Sequence, residues 1–191
     1  MTPSELPSQR TGPWLVSPRL VLRRFQPGDA AALAAYRSDP AIARYQAWET
    51  PLTVERAAET IARYRHDAPD RPGWFPYAIS LDGALIGDLG VNLHENGMQA
   101  DLGFTLAAPH HGRGYATEAV GRMLEHLFVD RCLHRVSAEC DPRNDASARL
   151  LDRLGFEREG LRRANTRVRD EWADDLLFGL LAADYHRRAG R

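Results

Sequence analysis

The segment from Pro109 to Glu118 concentrates glycine, histidine and arginine immediately before a long amphipathic pattern. Gly112 and Gly114 permit a sharp backbone turn, and neither carries a Cβ that would keep a ligand away from the peptide N–H groups. At the start of a helix, the first N–H groups lack intrahelical partners and carry about half a positive charge. The segment therefore predicts a site for an anionic group such as a phosphate or pyrophosphate, to which Arg113 could add a charge.

The same glycines also fit a plain tight turn, and two nucleotide-binding patterns can be tested against them. The dinucleotide pattern G-x-G-x-x-G needs a third glycine where this chain has Thr117. The strand before the loop belongs to a run of hairpins, whereas that fold places the loop in a crossover unit. The phosphate-binding pattern G-x-x-x-x-G-K-S/T is absent from the sequence. Both nucleotide-binding interpretations are therefore excluded by spacing.

The loop is expected to join an antiparallel meander to the clearest amphipathic helix of the sequence. Alternating apolar residues and Asp-Gly or Asn-Gly turn signals predict three successive strands before it, at residues 77–81, 84–93 and 99–106. Apolar side chains at helical spacing predict a helix from about Tyr115 to Phe128. The loop thus follows the third strand and begins the helix.

The remaining pattern predicts an α/β domain around one mixed sheet flanked by helices. Residues 67–76 are expected to form a loop because they are rich in proline. Asp39-Pro40 is expected to end the first helix, since a residue before proline is disfavoured in helical conformations. The other predicted strands are residues 19–25, 135–140 and 172–181 with one more after Gly160, and the other predicted helices are residues 29–38, 53–66 and 144–154.

Composition excludes several classes of protein. The chain has 191 residues, enough for one domain, and its 25 Lys and Arg residues against 26 Asp and Glu residues give a net charge of -1. That balance argues against nucleic-acid binding, which requires a strong excess of basic residues. Cys132 and Cys140 form no C-x-x-C pair, and no metal is assigned to the histidines. No apolar run reaches about 18 residues, and the N-terminus has no charged start followed by an apolar stretch, so neither a membrane span nor a signal peptide is predicted. Reduced cysteines suit the cytoplasm, which is the expected location.

The loop resembles the acyl-CoA loop of the GNAT N-acetyltransferases, whose pattern is Q/R-x-x-G-x-G/A. Here the six residues from His111 to Ala116 read HGRGYA, with histidine where Gln or Arg is usual. The extension GYATEA is closer still to the subgroup of ribosomal-protein N-terminal acetyltransferases. Other landmarks of that subgroup occur in the expected order, namely SPRLVLR at residues 17–23, NDAS at 144–147, LGF at 154–156 and WAD at 172–174. The resemblance implies a single acyl-CoA N-acyltransferase domain with a mixed, mostly antiparallel central sheet.

The resemblance also implies acetyl-CoA as the co-substrate and indicates which residues bind it. In this family the strand before the loop pairs its backbone with the pantetheine arm, and the loop backbone holds the pyrophosphate. Carried over by position, these residues are Phe104, Thr105 and Leu106 in the strand and His111, Gly112, Arg113, Gly114, Tyr115, Ala116 and Thr117 in the loop. His111 is a departure because a neutral imidazole carries less charge than arginine. Asn144 is implied to bind the pantetheine, although Asn at a helix start is usually a cap.

The same resemblance suggests catalytic residues. It implies that Ser147 lies near the CoA sulfur, where its hydroxyl could protonate the leaving thiolate. Many members use a tyrosine further along this helix, where this chain has Leu151. Asp101 and Glu139 are candidate general bases acting through a water, and both also suit ordinary paired strand carboxylates. Some members of the subgroup carry a glutamate roughly where this chain has Thr166. The substrate of that subgroup is therefore not assigned directly to this chain.

The acceptor side is expected to come from the two early helices, their connector and the late hairpin. Arg44, Tyr45 and Trp48 cluster in the connector and are predicted to contact an amine acceptor, with packing against the sheet as the alternative. The predicted function is acetyl transfer from acetyl-CoA to a primary amine, on a protein N-terminus or a small molecule. The competing hypothesis is an acyl-CoA-binding sensor or interaction module without turnover.

The predicted organisation is an N-terminal arm at residues 1–17, the N-acetyltransferase domain at residues 18–184 and a C-terminal tail at residues 185–191. Neither nucleic acid nor a membrane is an expected partner. A homodimer is kept as a candidate assembly.

Overall fold

The computed structural model describes residues 15–190, so most of the predicted N-terminal arm lies outside the described residues. The described strands are β1 (Leu15–Val16), β2 (Leu20–Arg23), β3 (Gly73–Leu81), β4 (Ala84–Leu93), β5 (Gln99–Leu106), β6 (Arg135–Cys140), β7 (Glu157–Val168) and β8 (Glu171–Leu181). The helices are α1 (Ala30–Ser38), α2 (Pro40–Ala43), α3 (Val54–Tyr64), α4 (Tyr115–Glu125), α5 (Asp145–Leu154) and α6 (Ala182–Arg188).

The strands form one sheet in the order β1-β2-β3-β4-β5-β6-β8-β7. β5 and β6 run parallel, and the other neighbouring strands run antiparallel. The predicted α/β fold with a mixed, mostly antiparallel sheet is therefore confirmed. Among residues 15–190, no helix combines the length and apolar character that crossing a membrane requires.

Hydrophobic cores lie on both faces of the sheet. Successive residues of a strand point to opposite faces, and accordingly Ile79 packs in one core while its neighbour Ala78 packs in the other. The first core contains the buried side of α4, including Met123 and Leu124. The second core contains residues of α1 and α3, such as Leu33. The sheet is thus held between α4 and α5 on one face and α1 and α3 on the other.

β5 and β6 separate before β5 ends. Their pairing runs from Gln99 opposite Arg135 to Leu102 opposite Ala138. Beyond Leu102, β5 stays paired with β4, from Gly103 opposite Gly90 to Leu106 opposite Gly87. The side of residues 103–106 that faces β6 therefore has no strand partner, and this gap in the sheet leads directly into the glycine-rich loop.

Near two prolines, the boundaries of strands and helices differ from those predicted from the sequence. β3 begins at Gly73, so the predicted loop is shorter than residues 67–76, and Pro76 lies within the strand opposite Gly90. Proline is tolerated there because β2 pairs with β3 only from Ala78 onward, which leaves Pro76 on an unpaired stretch of edge. Pro40 does follow the end of α1, but it also begins α2. Asp39 caps α2, because its side chain accepts a hydrogen bond from the Ala41 N–H at 2.8 Å.

The ends of the described chain are more regular than the sequence predicted. Leu15 lies opposite Leu22 in β1, so the sheet begins within the segment predicted as an arm. α6 continues across the predicted domain end at residue 184, and Tyr185 stacks on Phe128 with ring centroids 4.9 Å apart. Both segments are ordered by tertiary contacts, for which the local sequence gives no signal.

Candidate active site

The glycine-rich loop forms an uncapped helix start. Gly112 and Gly114 have φ values of +71° and +79°, in the left-handed region that favours glycine. Gly114 is the N-cap of α4 and has no side chain with which to bind the first N–H groups. The N–H of Glu118 donates to the Gly114 carbonyl at 3.0 Å. The N–H groups of residues 115–117 precede that bond, so helix geometry leaves them available to an anion.

A cavity of about 600 Å³ lies against this helix start. Its lining includes β5 residues Phe104, Thr105 and Leu106, the loop from His110 to Thr117 without Arg113, and Asn144 and Ser147 at the start of α5. Within the described chain its ionisable lining residues are His110, His111, Tyr45, Tyr115, Arg149 and Arg153, with no carboxylate among them. Arginines beside an uncapped helix start favour a ligand that carries several phosphate charges.

His111 stabilises the junction between β5 and the loop. Its Nε2 lies 2.7 Å from the Leu106 carbonyl oxygen, and because a carbonyl only accepts hydrogen bonds, this nitrogen carries the proton. The imidazole is thus turned back to the strand that ends beside the cavity. Arg113 is exposed, and its side chain is not part of the lining. Cofactor binding by these two side chains stays a prediction.

Arg19 and Glu118 connect the β1–β2 turn to the loop. The Arg19 Nε donates to Glu118 Oε2 at 2.6 Å, and its Nη1 donates to the Arg113 carbonyl at 3.1 Å. The same guanidinium lies 4.5 Å from the centroid of the Tyr115 ring. Ser17 Oγ donates to Glu118 Oε1 at 2.7 Å. We name this set of contacts the Arg19–Glu118 clasp, and sequence analysis missed it, although its two halves lie in separate landmarks of the resemblance.

The clasp also keeps Glu118 ionised. Burial on its own would raise the pKa of this carboxyl, but hydrogen bonds from Ser17 and Arg19 outweigh burial and lower the pKa below its ordinary value. An ionised carboxylate in the first turn of α4 is favourable because the helix start carries partial positive charge. The clasp therefore fixes the loop, while the side chains of Ser17, Arg19 and Glu118 stay out of the cavity lining.

Asn144 caps α5 and also faces the cavity. Its Oδ1 accepts from the Ser147 N–H at 3.2 Å, which is the ordinary role of Asn at a helix start. Asn144 and Ser147 nevertheless line both the large cavity and a second, smaller one. Capping thus holds both residues at the junction of the two cavities.

The smaller cavity has a volume of about 320 Å³ and shares six lining residues with the larger one. The shared residues are Tyr45, Gln46, Phe104, Thr105, Asn144 and Ser147. Its floor includes the cross-strand pair Gly90 and Gly103. A Cβ on Gly103 would meet no atom within 4 Å, so the missing side chain leaves open space above the sheet. The two cavities therefore meet at the end of β5.

Every acidic or basic side chain that lines the smaller cavity within residues 15–190 is a carboxylate: Glu139, Asp141 or Asp175. Burial raises the pKa of Glu139, and the nearby charge of Asp175 raises it further, while Arg162 Nη1 at 3.2 Å from Glu139 Oε2 opposes both. Asp141 is neutralised by Arg143, whose Nη2 lies 2.6 Å from its Oδ2 and whose hydrogen bonds lower the pKa of that carboxyl. Within the described residues, Glu139 and Asp141 thus each pair with an arginine, whereas Asp175 does not.

The structure does not bring all the predicted site residues to these cavities. Asp101 lies outside both linings, and its Oδ2 is 3.0 Å from Asn92 Nδ2 and 2.9 Å from His94 Nε2. Arg44 is exposed, with its guanidinium 5.5 Å from the Tyr45 ring centroid, and does not line a cavity either. Both roles stay predictions that this geometry does not favour.

Tyr45, Trp48 and Glu139 do line the smaller cavity, and Trp48 Nε1 also donates to the Arg37 carbonyl at 3.0 Å. Sequence analysis missed Asp175, Gln46 and the cation pair Arg149 and Arg153. Arg149 and Arg153 are four residues apart on α5, a spacing that places both on one helix face. Among residues 15–190, no group of three or more His, Cys, Asp or Glu side chains is arranged to hold a metal ion.

A strand separates from its neighbour beside an uncapped helix start, and two cavities of different charge meet there. This arrangement suits a group-transfer reaction between two substrates. The chain belongs to the GNAT acetyltransferase family, because its residues 19–157 match the Acetyltransferase (GNAT) domain. It is therefore an N-acetyltransferase of the GNAT type.

Individual relatives agree with this assignment. The uncharacterized N-acetyltransferase p20 of Bacillus licheniformis is 32% identical over 175 residues, covering 90% of this chain and 97% of that protein. The crystal structure of Mycobacterium smegmatis RimJ in complex with CoA-disulfide aligns with a TM-score of 0.73 at 29% identity, covering 90% of each chain. The ribosomal protein uS5-alanine N-acetyltransferase of Escherichia coli is 31% identical over 84 residues, 44% of this chain and 43% of that protein.

Proposed function

We propose that this enzyme transfers the acetyl group of acetyl-CoA directly to a primary amine, without a covalent enzyme intermediate. The observation that carries the proposal is the meeting of a cavity with basic side chains and a cavity with acidic side chains at Phe104, Thr105, Asn144 and Ser147. The polyanionic acetyl-CoA suits the first cavity and a cationic amine suits the second. Holding the two substrates together at this junction supplies much of the rate acceleration.

Backbone groups bind most of the co-substrate in this proposal. The N–H groups at the start of α4 bind the pyrophosphate, and Arg149 and Arg153, which also line the cavity, add charge. The unpaired side of residues 103–106 pairs with the amides of the pantetheine arm, which completes the gap between β5 and β6. A β5 N–H directed at the thioester carbonyl stabilises the negative charge that develops on its oxygen.

The transfer needs one proton removed from the amine and one supplied to sulfur. The amine nitrogen bonds to the thioester carbon, and the C–S bond breaks with its electron pair moving to sulfur. Glu139 accepts the amine proton through a water, and the Ser147 hydroxyl donates a proton to the thiolate and regains one from solvent. Removing the proton at pH 7 costs about 1 kcal/mol for an α-amine and about 4–5 kcal/mol for an alkyl amine such as lysine, so a base matters most for alkyl amines.

We also propose that the acyl-CoA half of the site is of the ribosomal-protein N-terminal acetyltransferase type. The similarity to Mycobacterium smegmatis RimJ over 90% of each chain supports this, as does the Arg19–Glu118 clasp between two landmarks of that subgroup. The smaller cavity governs the acceptor, which is a primary amine on a protein N-terminus or a small molecule. A cytoplasmic location fits the free thiols of Cys132 and Cys140.

The test is release of free CoA thiol from acetyl-CoA with peptides bearing free N-termini, aminoglycosides, polyamines and amino acids. Thiol release with one acceptor class is the expected result, and Ser147→Ala and Glu139→Gln should lower kcat while acetyl-CoA affinity is retained. Glu157→Gln, an exposed change of the same kind on β7, is the control for Glu139→Gln. Binding of acetyl-CoA without thiol release from any acceptor would favour the sensor hypothesis. Absence of acetyl-CoA binding would refute the loop assignment.

A further inference from the structure

The smaller cavity contains a buried carboxylate without a countercharge. Asp175 is 6% exposed and lines the cavity. Its Oδ2 accepts hydrogen bonds from Asn165 Nδ2 and Thr166 Oγ1, both at 2.7 Å. These donors are neutral, and within the described chain no Arg, Lys or His nitrogen lies within 4.0 Å of Asp175. The neighbouring side chains therefore fix the orientation of the carboxylate without balancing its charge.

The nearest arginine along the hairpin is used elsewhere. Arg162 lies opposite Asp175 in the pairing of β7 and β8, but its Nη1 contacts Glu139 Oε2 at 3.2 Å. A buried charge without a partner is costly, and a cation that enters the cavity would offset that cost. Because the hydrogen bonds from Asn165 and Thr166 hold Asp175 in place, a cationic group would find its partner already oriented.

We propose that the amine acceptor is a small molecule with a second positive charge, and that Asp175 binds this second charge. The inference rests on the proposed acetyl transfer and identifies its substrate class. Ser147 lines both cavities, whereas Asp175 lines only the smaller one. An acceptor can therefore present one amine at the junction near Ser147 while a second ammonium reaches Asp175.

The size and walls of the cavity favour a small acceptor. Its volume of about 320 Å³ is at the lower end of the range for small-molecule sites. Tyr45 and Trp48 supply aromatic walls that suit an alkyl chain. Gly103 leaves open space above the floor, because an added Cβ there would meet no atom within 4 Å. A diamine with a short alkyl chain matches these features.

The experiment compares 1,4-diaminobutane with 1-aminobutane, which has the same carbon chain and lacks the second ammonium. The wild-type enzyme should show a kcat/KM at least tenfold higher for the diamine. Asp175→Asn should reduce this ratio to near one by raising the KM of the diamine, while the KM values of 1-aminobutane and acetyl-CoA stay the same. Asp174→Asn is the matched control, because the neighbouring Asp174 does not line the cavity and accepts from the Ala164 N–H. It should keep the wild-type ratio.

A second variant tests the inference in the opposite direction. Arg162→Gln removes a half-exposed cation near the cavity, so the preference for the diamine should increase. This result does not depend on whether Asp175→Asn folds, and the ratio of the two amines cancels any effect on the base Glu139. Thiol release from both amines with equal kcat/KM in the wild type would overturn the inference and leave the proposed function intact. Absence of thiol release with these two amines and with every acceptor class named under the proposed function would overturn both this inference and the proposed function.

Discussion

Replacing Gly114 with alanine tests whether the start of α4 is the anion site. Gly114 has φ +79°, where an L-residue costs about 1–2 kcal/mol relative to the right-handed region. The atom nearest to an added Cβ is Arg19 Nη2 at 3.5 Å, which is an ordinary contact. The penalty therefore comes from the backbone conformation and not from a steric clash.

Gly121→Ala is the matched comparison in the same helix. Its added Cβ would lie 3.8 Å from Leu154 Cδ2, again an ordinary contact. Alanine inside a helix is favoured over glycine by about 0.5–1 kcal/mol. In a chain of this size, 1 kcal/mol changes Tm by about 2–4 °C. Gly114→Ala should therefore lower Tm by about 2–8 °C, whereas Gly121→Ala should raise it by about 1–4 °C.

Acetyl-CoA binding should distinguish the two variants more sharply. Relief of the strain at residue 114 rotates the adjoining peptides and redirects the N–H groups at the helix start. A loss of about 1.4 kcal/mol of binding free energy is a tenfold rise in the dissociation constant, and we expect at least this for Gly114→Ala. Titration calorimetry with acetyl-CoA measures the affinity, and thermal unfolding without ligand measures stability.

Two results would contradict this reasoning. A Gly114→Ala protein with wild-type Tm would mean that the left-handed conformation is not needed at this position. Lower stability with unchanged acetyl-CoA affinity would mean that the glycine only permits the turn and that the helix start does not bind the co-substrate.

Three further predictions concern the acceptor cavity, the base and the clasp. Gly103→Val places a side chain in the smaller cavity, so kcat/KM for the amine should fall at least tenfold with acetyl-CoA affinity unchanged. Because burial and the nearby Asp175 charge raise the pKa of Glu139, its base form is lost at a higher pH than for an ordinary carboxyl. The wild-type rate should accordingly fall as pH decreases through that raised pKa, and Glu139→Gln should remove this limb of the pH profile. Arg19→Gln should raise the KM of acetyl-CoA several-fold with little change in kcat, because it removes the ion pair to Glu118.

Each of these predictions has a contradicting result. Equal losses of amine turnover and acetyl-CoA affinity in Gly103→Val would indicate general damage to the sheet. A Glu139→Gln enzyme with the wild-type pH profile would exclude Glu139 as the base. For Arg19→Gln, an unchanged KM for acetyl-CoA would limit the clasp to a role in stability, which thermal unfolding would then report.

Features encoded by neighbouring residues could be predicted from the sequence. The hairpins at Asp82-Gly83 and Asn96-Gly97 and the start of α4 depend on local backbone preferences, and the structure places them where the sequence indicated. β3 begins earlier than expected because the local effect of Pro76 alone predicts a loop. Its tolerance in a strand depends on where β2 stops pairing, which no local pattern reports.

The parts of the site that depend on tertiary contacts could not be predicted. Asp175 has no motif of its own, and its position in the smaller cavity results from the pairing of β8 with β6 and β7. The resemblance places His111 among the residues that bind the co-substrate, whereas its ring contacts the carbonyl of Leu106 five residues earlier. Arg19 and Glu118 are 99 residues apart in the chain, and only the fold brings them together.

The carboxylates of the smaller cavity also bear on release of the acetylated product. The negative charge of the cavity walls stabilises the protonated amine. It therefore attracts the acceptor but also opposes the loss of the acceptor's proton. Binding and reactivity thus make opposite demands on the same charge. Acetylation converts that ammonium into a neutral amide, and its attraction to Glu139 is then lost. The acetylated acceptor should thus bind more weakly than the substrate, since the reaction removes the charge that faced Glu139 and leaves only the second ammonium on Asp175.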